Sequence, residues 1–281
     1  MWIVILTVLV VIILLLVVVT TKVFEVKSVP HQKTPASKDI LFKEVRIPTK
    51  NNLFLYGWWM PHPEKSNVPT IILVHGWKRN LERMMPYIKN LHQSFNLFAF
   101  DARCHGSSDK DTYSSMPRFA EDIESVVDYL YSKHNENTDI GVVGLSIGGA
   151  AAIYEASFDD RINKILTVGA FANPEEIMKL QMKSQHIPYF PFGWMLLRYV
   201  EFKIRNRFSK IAPENNIGKV KSRILLVHGK EDTTAPYDHA TRLYDAAQKD
   251  KVSLLGLEGR GHSDCHKHPG FWTHIENFLS E

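Results

Sequence analysis

Along residues 40–281, short runs of consecutive apolar residues alternate with longer stretches in which apolar positions recur every three or four residues. Residues 41–47 and 53–59 flank the turn-forming stretch Thr49-Lys50-Asn51-Asn52, which predicts a hairpin. Four continuous apolar runs follow at 70–76, 96–102, 140–146 and 164–170, and two more at 223–229 and 251–257. Between and after them, helical spacing is predicted near 80–93, 116–134, 148–157, 238–249 and 269–280. Phe119, Ile123, Val126, Val127 and Leu130 keep one helix face in the second of these. Continuous apolar strands alternating with helices predict an α/β fold, a mostly parallel sheet covered by helices on both faces. One interval breaks the rhythm. Residues 171–218 lie between two strand runs and are far longer than a crossover needs, so they are read as an inserted helical cap.

The N-terminus has a different pattern. Residues 1–21 contain only threonine as a polar side chain, and as a helix they would span roughly 31 Å, close to the thickness of a bilayer core. There is no basic leader and no small-residue cleavage site, so the expectation is an uncleaved, single-pass membrane anchor. Lys22, Lys27, Lys33 and Lys38 follow it, and the positive-inside rule then puts the large domain on the cytoplasmic side. Residues 22–39, polar and proline-containing at 28–39, are read as a linker, leaving 40–281 as the domain.

Composition narrows the class. The 281 residues include 15 Gly, 14 Pro and 2 Cys, which excludes collagen-like chains and disulfide frameworks. The net charge of +4 is unevenly spread: residues 175–223 alone hold ten Lys/Arg and four Asp/Glu, hence +6. This basic stretch is interleaved with aromatics, a pattern better suited to a membrane surface than to nucleic acid.

The candidate chemistry sits at strand ends. Gly144-Leu145-Ser146-Ile147-Gly148 fits G-x-S-x-G, entered by a strand run and left by the small-residue stretch Gly149-Ala150-Ala151-Ala152. A serine on such a turn is exposed at the carboxyl edge of the sheet, with a helix N-terminus behind it. Its hydroxyl needs a base, and the base a carboxylate. His262, after the 251–257 run, supplies the base. Asp232, after the 223–229 run, supplies the carboxylate, with Glu231 and Asp264 as rivals. The backbone N–H groups of Ile147 and Trp77 are the candidate oxyanion donors. Phe190, Phe192 and Trp194 of the cap are the candidate roof of an apolar substrate pocket. No metal site is read: the local His262, His266 and His268 group is taken as a surface cluster.

VHGW (74–77), FDARCHGSSD (100–109), GLSIGG (144–149), HGKEDTTAP (228–236) and GRGH (259–262), in that order, resemble the α/β-hydrolases. The likeness is closest to bacterial members of the serine aminopeptidase S33-like, or monoglyceride lipase-like, group. The resemblance implies an α/β-hydrolase fold, a serine hydrolase working through an acyl-enzyme, and no metal or organic cofactor. It also implies a structural role for Asp101, Arg103, His105 and Ser107, with Cys104 departing from the usual pattern. The expected activity is cleavage of a small-molecule or lipid carboxylic ester. Thioester or amide cleavage, or a membrane-tethered binding protein that has lost turnover, are the alternatives.

Overall fold

The computed structural model describes residues 1–3, 6–7, 18, 25–65, 67–134 and 139–281. Within them, eight strands form one sheet: β1 (Lys43–Thr49), β2 (Leu53–Met60), β3 (Thr70–Val74), β4 (Asn96–Asp101), β5 (Ile140–Leu145), β6 (Ile162–Val168), β7 (Arg223–Gly229) and β8 (Val252–Leu257). Their order is β1-β2-β4-β3-β5-β6-β7-β8. β1 and β2 pair antiparallel, with Ile47 opposite Leu55, and β2 joins β4 antiparallel. From β4 to β8 the strands run parallel.

Alternate side chains of each strand enter two cores, as the pleat requires. Ile72, Val74, Val142 and Leu226 pack on one face with α2 (Met116–His134), α3 (Ile147–Ala156) and α7 (Asp238–Ala246). Ile71, Leu73, Val143 and Leu225 pack on the other with α1 (Met85–Leu91) and α8 (Phe271–Ser280). Both faces of the central strands are therefore buried, which is why those strands read as unbroken apolar runs.

The cap leaves the sheet between β6 and β7 and contains α4 (Pro174–Ser184), α5 (Trp194–Ile204) and the short α6 (Phe208–Ile211). Its two ends meet: Glu214 N donates to Ala172 O at 3.2 Å, and Asn173 Nδ2 donates to Glu214 Oε1 at 2.9 Å. Arg242 of α7 bridges Glu176 and Glu214 at 3.1 Å and 3.0 Å, clamping the neck to the domain.

The expected membrane-spanning helix over 1–21 is not supported. Among the described residues no helix is long and apolar enough to cross a membrane, and residues 4–5, 8–17 and 19–24 lie outside the described residues. A span needs about 20 consecutive helical residues to satisfy its backbone polar groups, and apolar composition does not by itself supply that helix. The single-pass membrane localisation inferred from the anchor falls with it. Residues 28–39, read as a linker, pack on the domain. Asn80 Nδ2 donates to Val29 O at 3.0 Å, and Gln32 N donates to Glu82 at 2.8 Å. His31 Nε2 lies 2.9 Å from the buried Asp101 carboxylate, stacked against Tyr56.

Candidate active site

Ser146 occupies the turn between β5 and α3 with φ 54° and ψ −118°, a left-handed conformation that a side chain adopts only under constraint. The constraint is visible on both sides. Ser146 N donates to Val168 O at 2.9 Å. A Cβ on Gly144 would come within 2.4 Å of Gly149 N, and one on Gly148 within 2.7 Å of His75 O. Glycine at these two positions is what lets α3 start so close to β3 and β5.

Two loops from distant parts of the chain reach the serine. His262 Nε2 lies 3.0 Å from Ser146 Oγ, and His262 Nδ1 lies 2.7 Å from Asp232 Oδ2. Asp232 is buried, and its Oδ1 accepts the Thr234 and Ala235 amides at 2.8 Å and 2.9 Å. Burial alone would raise this carboxyl's pKa. Contacts with His228 and His262 outweigh it and hold the group well below the usual carboxylate range. Asp232 is therefore an acceptor only, so His262 Nδ1 carries the proton and Nε2 faces the serine hydroxyl as an acceptor. The rival carboxylates are engaged elsewhere or absent from this contact: Asp264 Oδ1 accepts Gly261 N at 2.8 Å, while Asp232 holds His262.

His228 was not singled out from the sequence. It sits at the end of β7, with Nε2 2.7 Å from Ala235 O and 3.2 Å from Asp232 Oδ2, so Asp232 is gripped between two imidazoles. The signal lay in the HGKED stretch, where a histidine precedes the aspartate by four residues.

The loop after β3 brings Gly76 beside Ser146, a Cβ there lying 3.7 Å from the serine Cβ. Among the described residues, neither the Trp77 nor the Ile147 N–H has a backbone partner. The Trp77 ring packs edge-on against His105. Asp101, Arg103, His105 and Ser107 brace this region. Asp101 accepts the Leu81 and Ser107 amides at 2.7 Å and 2.8 Å, and Arg103 Nε donates to Asp122 at 2.6 Å. His105 Nε2 accepts Lys78 N at 3.2 Å, next to Trp77. Burial pushes the His105 pKa down to about 3, which keeps that acceptor free of a proton. Cys104, the departure noted in the sequence, is a free, buried thiol at φ 70°.

A cavity of about 440 Å³ opens onto Ser146 and His262, a size common for small-molecule sites. Its cap wall includes Ile177, Met178, Gln181, Val200, Ile204 and Phe208. Phe190, Phe192 and Trp194 do not line it: they are 77%, 54% and 47% exposed, around the turn that precedes and opens α5. The apolar i, i+4 pair Val200/Ile204 carried the signal that the bulkier aromatics obscured.

Comparison with known proteins agrees with this architecture. Residues 71–272 match the model of the alpha/beta hydrolase family. The chain is 28% identical over 224 residues to the uncharacterized protein YfhR of Escherichia coli (strain K12), covering 77% of this chain and 72% of that protein. It is 27% identical over 221 residues to the uncharacterized protein YqkD of Bacillus subtilis (strain 168), covering 76% and 70%. Among solved structures it resembles the Pyrococcus furiosus esterase Pf2001, with a TM-score of 0.73 and 25% identity over 90% of this chain and 97% of that one. These matches do not reach the narrower S33-like, monoglyceride lipase-like group. The family model spans β4 to β8, the cap and all three strand-end loops, and on that extent this chain belongs to the alpha/beta hydrolase family.

Proposed function

We propose that this protein is a serine hydrolase that cleaves carboxylic esters through an acyl-enzyme. The observation that carries the reading is the continuous line Ser146 Oγ, His262, Asp232, with contacts of 3.0 Å and 2.7 Å, opening into the cavity. Ser146 Oγ attacks the ester carbonyl as His262 Nε2 takes its proton. The N–H groups of Trp77 and Ile147 receive the carbonyl oxygen as it becomes negative, and the start of α3 adds its dipole. The carbon–oxygen bond to the alcohol then breaks, and His262 returns the proton to the leaving alkoxide. Water repeats the sequence: its proton goes to His262, its oxygen to the acyl carbon, and Ser146 departs reprotonated. Asp232 holds the imidazole tautomer and stabilises its charged form. Ester preference is supported by the likeness to the Pyrococcus furiosus esterase.

Purified protein is expected to take a fluorophosphonate label on Ser146 and to hydrolyse 4-nitrophenyl butyrate. Ser146→Ala is expected to lose the label and lower kcat by about 10⁴-fold or more, while unfolding cooperatively. Wild-type-like turnover in that variant would sink the assignment. A matched thioester or amide turned over faster than the ester would move the reading to those bonds.

A further inference from the structure

The cavity wall is uneven in charge. Arg79 and Arg83, from the loop and turn that follow β3, line it together with Ser146, and no Asp or Glu is among its lining residues. Elsewhere in the domain, arginines sit on carboxylates: Arg118 on Asp111 at 2.8 Å, Arg161 on Asp128 at 2.7 Å, Arg198 on Glu201 at 2.6 Å. Among the described residues, neither Arg79 nor Arg83 has a carboxylate within 4 Å. Arg83 is nonetheless fixed, because NH2 donates to Ser263 O at 2.6 Å, one residue beyond His262. Arg83 is half-buried and Arg79 exposed at the cavity mouth. Tyr87 lines the cavity with them, and burial pushes its phenol pKa up, so it keeps its proton at neutral pH. The cap's contribution, in contrast, is mostly apolar, with Ile177, Met178, Val200, Ile204 and Phe208 beside a single amide, Gln181.

Resting on the ester-hydrolase reading above, we infer that the site selects esters in which one substituent is apolar and the other carries an anion, a carboxylate or a phosphate, held by Arg79 and Arg83. Guanidinium groups bind both anions through paired, charge-assisted hydrogen bonds.

The test compares kcat/KM for anionic esters with uncharged isosteres. 4-Nitrophenyl hemiglutarate against 4-nitrophenyl glutaramate places the charge on the acyl side. 4-Carboxyphenyl butyrate against 4-carbamoylphenyl butyrate places it on the alcohol side, and a phosphate in place of that carboxylate separates the two anions. At least one anionic ester is expected to exceed its isostere about tenfold. That ratio is expected to shrink as salt rises from about 20 to 500 mM. It should approach one in the Arg79→Gln/Arg83→Gln double variant and be partly kept in the double lysine variant. If the arginines only support the oxyanion, both members of each pair fall together and the ratio stands, which overturns the inference. Ratios near or below one for every pair in the wild-type protein also overturn it. Turnover of the uncharged esters separates this from the hydrolase reading, which fails only if no member of the series is cleaved.

Discussion

Ser146 is both the reactive residue of the proposed chemistry and a residue held at positive φ. Its φ of 54° is sterically costly for any residue with a Cβ. Ser146→Gly and Ser146→Ala should both abolish turnover, yet they should differ in stability. The glycine variant sheds the Cβ clash and is expected to be about 1 kcal/mol more stable than the alanine variant, read from urea midpoints at equal m. Equal midpoints would mean that the surrounding hydrogen bonds, and not the side chain, set the backbone there. Sequence reasoning reached Ser146, His262 and Asp232 because each follows an apolar strand run at the carboxyl edge of the sheet. It did not reach His228, which is inside such a run and looked like part of the strand. A buried imidazole that touches a carboxylate is indistinguishable, in one sequence, from one that merely fills space.

At the scale of elements, strand and helix positions were legible because both faces of the sheet are buried, and the two periodicities are clean in such a sheet. The 171–218 insertion was legible from its length, but its inward face was not. Large aromatics draw the eye, whereas most of the cap's side of the cavity is aliphatic, with Val200 and Ile204 one helical turn apart. Helix α3 carries a second, hidden property. Glu155, near its end, has its pKa raised to about 8, first by burial and then by the negative charges of Glu124 and Asp159. Its folded-state pKa lies above its unfolded value of about 4.3. The stability linked to its protonation is therefore complete in acid and lost as pH rises through about 8. Glu155→Gln should remove that loss, raising stability at pH 9 relative to wild type by on the order of 1 kcal/mol and leaving pH 4 little altered. A parallel pH dependence of thermal unfolding in the two proteins would show that Glu155 reaches solvent.

Across the whole molecule, the N-terminal stretch gave the clearest discrepancy. Apolar content in 1–21 predicted a membrane span that the described residues do not contain, and the polar stretch 28–39 was read as a tether although it is bound to the domain. Composition reports what a segment can tolerate, whereas docking depends on partners 50 or more residues away, such as Asn80 and Asp101, which no local pattern reveals. His31 gives this docking a pH dependence. Burial pulls its pKa down, but Asp101, with Glu82 and Glu44, prevails and raises it. Its contribution is thus fully present below the unfolded value of about 6.5 and lost as pH climbs through the raised value. In His31→Gln, the fall in melting temperature between pH 6 and pH 9 is expected to be smaller than in wild type. An identical fall would show that the segment is held by its backbone contacts alone. The cap neck has a consequence of a different kind. Both ends of the insertion meet at one backbone hydrogen bond between Glu214 and Ala172, secured from outside by Arg242. A loop closed at its base can be exchanged in a single genetic event without disturbing the strand register on either side. Substrate range in a lineage of such proteins can then diverge by replacement of one block of chain, while the serine, histidine and aspartate stay on the inherited scaffold.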